Sequence, residues 1–514
     1  MPSVTTSSPV VNRPVSPDYR VAALEAYFTN GAPLIWQNKN ITYSFPASGS
    51  KFAAGYGRGE AASGQWEGLN AIQKAAVRNV LAEWATVSSL TFTEVPDGDT
   101  VGDLRFAFSL SVASGQSAYA YGPSSFAHAG DVWLNFNLAF QSFAPGSANY
   151  YTLLHEVGHA LGLSHPFNSS ETRSTPALPA NESTYLYTVM AYTGTGLSFP
   201  HTPMPYDILA IQHLYGVNTT TSPTVGDNTY TFDLAAVRTS TIWDVRGTDT
   251  IEITNTSNRD LTNLSPATII NLSLRDSAIT SDSVGFLRIS IAEGVVIENV
   301  IATNGHDRIT GNYLPNTING KGGSDIIEGG GGVDTVVYNG AKSAYGIVGN
   351  RVTGDQTIDV KQFLVRKPDG WQDGLTGIER LQFSDGKVAL DITGAAGQTA
   401  RLIGAVFGPA WVSNKEYMGA GLAYLDRGGS YKELMKLALD VKLGSGASNA
   451  AVVNLLYSNV AGYAPGSADM NQLRGLLDSG AMSREDLGLL AADHALNQSN
   501  INLVGLAVTG IEYV

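Results

Sequence analysis

The 514-residue chain contains no cysteine, which excludes disulfides, thiolate zinc sites and cysteine nucleophiles. It is also poor in charge: charged residues make up 15% of the sequence, against roughly 25% in an average soluble domain. Basic residues are the scarcer sign, with 31 Lys+Arg against 45 Asp+Glu and a net charge of −14. With no basic run to neutralise phosphates, the chain is not expected to bind nucleic acid. No stretch approaches the length of apolar sequence that a membrane span needs. The opening MPSVTTSSPVVNRPVSPDYR has neither a basic n-region nor an apolar core, so no N-terminal secretion signal is expected from it. Glycine, in contrast, is abundant at 56 residues, and 43% hydrophobic with 9% aromatic residues argues against disorder.

The length suggests about three domains, and the texture changes where such boundaries would fall. Residues 1–18, rich in Pro, Ser, Thr and Val, read as a flexible tail and a candidate pro-segment. Residues 19–216 are globular in composition. Leu69, Ile72, Ala76, Val77, Val80, Leu81 and Trp84 form the stripe of an amphipathic helix. Residues 90–95 and 104–108 alternate as half-buried strands do, and 131–135 is a further strand candidate. From 217 to 395 short Val/Ile/Thr/Asn segments are broken by Gly and Asp. From 396 onward helical spacing returns, as in Leu434, Leu437, Ala438 and Val441, then Val452, Val453, Leu456 and Val460. Ser483 and Asp486 resemble a capping box.

The chemistry concentrates in His155-Glu-Val-Gly-His-Ala-Leu-Gly-Leu-Ser-His165. Residues four apart share one helix face, so His155 and His159 can aim at one point. Gly162 permits a turn that ends the helix, and His165 supplies a third nitrogen. Glu156 is rotated about 100° from its neighbouring ligand, which suits a general base. This stretch resembles the zinc-binding signature of the metzincin metalloproteases. Thr188-Val-Met-Ala-Tyr192 matches that family's Met-turn, with Met190 as the apolar floor under the histidines. Tyr192 matches a zinc-ligating tyrosine of the serralysin branch, which can also stabilise the oxyanion. Residues 90–95, 103–107 and 118–121 resemble serralysin strands in the same order, and Tyr206–Gly216 resembles the helix closing the protease domain. The resemblance runs from about residue 35 to 340. It implies peptide hydrolysis by Glu156-assisted attack of a zinc-bound water. It also implies an extended substrate paired with the edge strand Ala118, Tyr119, Ala120 and Tyr121, hence broad specificity.

Within 302–337 lies a nine-residue repeat: Asp307, Asn316, Asp325 and Asp334 share one phase, and Ile309, Ile318, Ile327 and Val336 another. It matches the nonapeptide of the calcium-binding parallel β-roll, the RTX repeat. Two repeats make one coil, so Asp307 faces Asp325 on one side and Asn316 faces Asp334 on the other. The Asp carboxylates and the Asn316 amide oxygen, with carbonyls near Gly320, Gly322, Gly329 and Gly331, are hard oxygens suited to Ca²⁺. By further resemblance to serralysins, Asp227, Asp244, Asp249 and Glu298 are added calcium ligands. Residues 345–392 resemble the β-region that follows such repeats.

The fold class expected is therefore an α+β metzincin protease domain (19–216), a parallel β-roll or β-sandwich RTX domain (217–395) and a C-terminal helical domain (396–514). The cofactors implied are one catalytic Zn²⁺ and several structural Ca²⁺. Repeats of this type mark bacterial proteins exported by type I secretion machinery through an uncleaved C-terminal signal and folded outside by calcium. Protein or peptide substrates are the implied partners. The helical tail resembles appendages of secreted and surface-layer proteins, and so suggests cell-surface partners. The competing reading is a surface-layer or matrix-associated binding protein with a protease-like module; intact His155, Glu156, His159, His165 and Tyr192 speak against it.

Overall fold

The computed structural model describes residues 2–25, 32–167, 177–194, 199–220, 225–236, 238–255, 270–275, 279–281, 287–351 and 360–514. Residues 26–31, beyond the candidate pro-segment, and 352–359, within the expected 345–392 β-region, lie outside the described residues. The chain divides into two compact units with the boundary between Ile297 and Glu298. That boundary is not the one that composition suggests at 216/217. The reason lies in bonds made by the strands after 229: Thr241 N–H donates to Thr202 Oγ1 (2.8 Å), Thr239 bridges Pro200, and Glu293 pairs with Arg20 (2.6 Å).

The first unit is a mixed α/β layer structure. Its helix Ala71–Val87 starts at a capping box made by Asn70 and Gln73 and buries Ala76, Val77, Val80, Leu81 and Trp84. Ile72, expected in that stripe, is exposed in the first turn. The sheet runs in the order Thr91–Glu94, Asn40–Ser44, Leu104–Ser109, Val132–Asn135, Ala118–Ala120. Leu104–Ser109 does not alternate as a half-buried strand would; all six residues are buried. It is the central strand, with parallel neighbours on both sides, and its side chains are buried on both faces, as is usual for a parallel sheet covered on both sides. Ala118–Ala120 is the antiparallel edge.

Residues 2–18 are not the free tail that their composition suggests. Val10–Asn12 pairs antiparallel with Leu34–Trp36, Val101 N–H donates to Pro2 O (3.0 Å), and Arg13 Nε donates to Leu214 O (3.0 Å). Backbone donors and acceptors satisfied in this way hold the segment against the domain despite its Pro and Ser content.

The second unit begins with stacked parallel strands. Asn299–Ile301, Thr317–Asn319 and Thr335–Val337 pair in one row, each 18 residues after the last. Asp307–Thr310 and Ile326–Glu328 pair in the other row with the same step. Ile309, Ile318, Ile327 and Val336 are fully buried between the rows. The stack then continues past the repeats: Gln372–Thr376 adds to the second row and Arg380–Phe383 to the first, both parallel. Gly386–Ala389 and Ile511–Tyr513 extend the first row antiparallel. Between them, residues 395–509 carry eight α-helices around Ile403, Val406, Met418, Leu422, Met435 and Leu456. In helix Tyr431–Leu443, Leu434 and Ala438 are buried, whereas Leu437 and Val441, expected on the same face, are exposed.

Candidate active site and metal centres

Ser147 caps helix Ala148–Ala160, and buried aromatic donors fix it from outside. Trp84 Nε1 donates to Leu154 O (3.3 Å), Trp36 Nε1 to Ala160 O (2.9 Å) and the Tyr215 hydroxyl to Leu161 O (2.8 Å). Gly162 follows at φ +105°, a backbone that a side chain would strain, and the chain turns back so that Ser164 N–H donates to Leu24 O (2.7 Å).

This path brings three imidazoles together. His155 Nε2 lies 3.2 Å and His159 Nε2 3.0 Å from His165 Nε2. The Nδ1–H of His155 donates to Val189 O (2.8 Å) and that of His159 to Leu163 O (2.8 Å). Backbone acceptors at Nδ1 fix the tautomer that leaves Nε2 lone pairs facing inward, the arrangement metal-ligating histidines use. Burial pushes His159 down to about 4 and His165 to about 3, and holds His155 well below its ordinary value. All three are therefore neutral at pH 7, as ligation requires. Among the described residues this is the group of three His, Cys, Asp or Glu side chains that could hold a metal ion. Three converging Nε2 atoms suit zinc and leave a fourth position for reactants.

The Tyr192 hydroxyl is 2.6 Å from His165 Nε2, while the residue is 58% exposed. Met190 is fully buried, and its Sδ lies 2.7 Å from where a Cβ on Gly158 would stand. The methionine thus sits directly under the histidine helix. Glu156 is buried, and its Oε2 has no hydrogen-bond partner among the described residues. Burial raises its pKa to about 8, against a lowering by the backbone N–H of Ala120. That contact joins Glu156 to the edge strand Ala118–Ala120; Tyr121 follows it, and the hydroxyls of Tyr119 and Tyr121 both reach buried Glu60.

Asp207 was not legible as a site residue. It accepts from Thr188 Oγ1 (2.6 Å), Val189 N (2.7 Å) and Met204 N (2.9 Å), and so pins the Met-turn whose Val189 carbonyl holds His155.

Of the calcium candidates in the first unit, Asp227, Asp244 and Asp249 come together on two adjoining turns. Asp227 Oδ1 accepts from Thr248 N (2.9 Å), Asp249 Oδ1 from Asn228 N (2.8 Å), and Asp244 from Arg246 N (2.8 Å) and the Tyr230 hydroxyl (2.5 Å). In the second unit, Glu298 contributes its carbonyl, which accepts from Thr317 N and Asn316 Nδ2 (both 3.1 Å). The repeat acids form two columns. On one side Asp307 N–H donates to Asp325 Oδ1 (3.0 Å) and Asp325 N–H to Asp373 Oδ1 (3.0 Å). On the other Asn316 N–H donates to Asp334 Oδ1 (2.8 Å) and Asp334 N–H to Glu379 Oε2 (2.8 Å). Asp334 is fully buried, and its Oδ2 has no partner among the described residues. A Cβ on Gly329 would fall on that oxygen and on the Gly377 carbonyl, so the turn is a cradle of oxygens closed to side chains. Such a donor set fits calcium. Gly322 and Gly331 stack against Asn304 and Tyr313 of the preceding turns, and Gly320 lies against Asp325 Oδ2.

Asp373 and Glu379 escape the nine-residue period because a hairpin intervenes. A shorter signal marks them: Asp373-Gly-Leu375 and Glu379-Arg-Leu381 keep the acid-x-apolar spacing of Asp325-Ile-Ile327 and Asp334-Thr-Val336.

Residues 65–175 match the Matrixin family model, and residues 206–404 match the model for the Peptidase M10 serralysin C terminal. Metalloprotease AprA of Pseudomonas entomophila is 34% identical over 297 residues, 51% of this chain and 57% of that protein. Serralysin C of Dickeya chrysanthemi is 33% identical over 309 residues, 54% of this chain and 60% of its own length. Serralysin of Proteus mirabilis is 31% identical over 327 residues, 56% of this chain and 62% of its own. The chain thus spans somewhat over half the length of these relatives. In chain order, the chain is thus similar first to the Matrixin model and then to the serralysin C-terminal model, and to serralysin and AprA metalloproteases over about half its length.

Proposed function

We propose that the chain is a secreted zinc endopeptidase whose repeat region is folded outside the cell by calcium. One observation carries the enzymatic part: three neutral imidazoles, those of His155 and His165 buried and that of His159 half-buried, turn their Nε2 atoms inward, with the Glu156 carboxylate, whose Oε2 has no partner among the described residues, on the same helix and an edge strand alongside. His155, His159 and His165 would hold the zinc, which when bound supplies Lewis acidity toward a peptide carbonyl and water. An extended substrate pairs with the backbone of Ala118–Tyr121, which places its scissile bond by main-chain hydrogen bonds and makes few demands on side chains. Glu156 takes the proton of the attacking water and returns it to the departing amine. Tyr192 turns its hydroxyl from His165 to the developing oxyanion. Met190 holds the floor and acts on no reactant.

In this reading residues 19–216 carry the protease chemistry, the repeats after Glu298 are the core of the calcium-binding RTX domain, residues 217–255 and 270–297 belong to the first compact unit, and 396–514 is a helical appendage. Asp334 with its glycine cradle is the best-supported calcium position, and Asp227, Asp244 and Asp249 form a second locus. Export through type I secretion machinery follows from coupling the fold to a cation scarce in the cytoplasm. The test is digestion of casein and a peptide library by the calcium-loaded chain. Cleavage is expected with zinc, abolished by a zinc chelator and restored by added zinc. A zinc- and calcium-loaded chain that cleaves nothing would return the protein to the binding-module reading.

A further inference from the structure

The two columns of the coil differ in one respect that the repeat sequence does not reveal. On the Asn316/Asp334/Glu379 side, a buried carboxylate oxygen of Asp334 lacks a partner among the described residues. On the Asp307/Asp325/Asp373 side every carboxylate is answered by the protein. Asp307 accepts from Thr303 N (2.9 Å) and Thr303 Oγ1 (3.0 Å). Asp373 accepts from the Tyr338 hydroxyl (3.1 Å). Between Asp325 and Asp373 lies Lys367, buried, with its ammonium 3.1 Å from Asp325 Oδ2, 2.8 Å from Asp373 Oδ1 and 3.1 Å from the Lys321 carbonyl.

Two carboxylates from successive coils and a turn carbonyl are the oxygens a hard cation would take. An ammonium has three N–H donors, and here each has one of those acceptors. The turn that offers the Lys321 carbonyl keeps the positive-φ backbone of the repeat even without glycine. Lys321 sits at φ +57°, a conformation that glycine adopts freely and other residues do not. The corresponding residue of the next repeat, Gly330, is a glycine at φ +109°.

We infer that the Lys367 ammonium is a resident cation standing in the place of a calcium ion between Asp325 and Asp373, so that this side of the coil closes without calcium while the Asp334 side requires it. The inference rests on the calcium reading of the coil, and it withdraws Asp325 from the set of calcium ligands. It makes the coil half covalently provided with its counter-charge.

Bound calcium per full-length chain, measured by atomic emission after gel filtration, separates the two claims. Asp334→Asn is expected to lose one ion and Asp325→Asn none. Lys367→Met, which keeps the stem and removes the charge, is expected to gain one ion and to lose more thermal stability in chelator than the wild type does. Lys367→Arg should keep the wild-type count. Loss of calcium in Asp325→Asn, or an unchanged count in Lys367→Met, would overturn the inference alone. A wild-type chain that binds no calcium would overturn the coil reading and this inference with it. Should these variants fail to fold, reductive methylation of the wild type decides. Lys367 is expected to stay protected with and without calcium, and an amine that becomes reactive when calcium is added refutes the assignment.

Discussion

The candidate zinc site is assembled from groups that burial makes neutral, with His159 near 4 and His165 near 3. The coil is assembled from acids that burial pushes the other way, Asp307 and Asp334 each up to about 6. At the histidines, Val189 and Leu163 carbonyls take the Nδ1 protons, and the helix beneath is held by Trp36, Trp84 and Tyr215. Those contacts are made between protein groups alone. In the coil, the acids are stacked one turn above the next, and the apolar strip between the rows is one residue wide per strand. A site of neutral ligands on a packed helix can be complete before its ion arrives. A column of buried acids needs counter-charge in order to close.

The contrast can be broken most sharply at Glu156. Glu156→Gln keeps the shape and the three imidazoles, so bound zinc should persist while peptide hydrolysis falls by roughly 10²–10⁴-fold. Loss of zinc along with activity would mean that the ligand set depends on the base. Removal of the ions comes next. A zinc-selective chelator should leave the circular dichroism of the chain nearly unchanged, whereas calcium removal should erase part of its β-signal. Equal losses for both ions would show that the two sites fold as one. A smaller effect is expected from Tyr192→Phe. Without the hydroxyl, kcat should drop with KM little changed, because the group serves the transition state; a change confined to KM would place Tyr192 in substrate binding.

The smallest effect sharpens the comparison at a half-buried carboxyl of the first unit. Burial raises Glu83, on helix Ala71–Val87, to about 7, above its unfolded value of ~4.3. Between those values the folded chain keeps a proton that the unfolded chain has released, so stability is full below about pH 4 and declines as pH rises through about 7. Glu83→Gln should remove that decline and raise the melting temperature at pH 8 by a few degrees, while leaving it unchanged at pH 4. A melting curve with the same pH slope in both proteins would refute the assignment.

Much of this was legible in the sequence because the relevant periods are short. His155, His159 and His165 lie within one helix and the turn after it, and their spacing dictates their convergence. The buried Ile309, Ile318, Ile327 and Val336 follow from the nine-residue phase. What stayed hidden depends on distant pairing. Asp373 and Glu379 join their columns across a hairpin, and Lys367 enters from a strand end that no local pattern links to Asp325. Residues 104–108 suggest a half-buried strand by their alternation, yet they lie in an interior strand whose two faces are both buried. The N-terminal segment misled for the opposite reason. Its composition is that of a linker, but its backbone partners come from residues 34–36, 100–101 and 214, which a local reading does not bring near.

One of those N-terminal contacts reaches the chemistry. Ser164 N–H donates to Leu24 O, and Leu163, whose carbonyl holds His159, bridges Glu25. The loop that presents His165 is therefore laced to a segment far upstream, and the two cannot come loose independently. By linkage, any ligand that tightens the histidine cluster also tightens that lacing, and any cut or unzipping of residues 19–25 loosens the cluster by the same free energy. Resistance of the Val21–Glu25 backbone to hydrogen exchange is thus a remote gauge of metal occupancy, read without touching the active site.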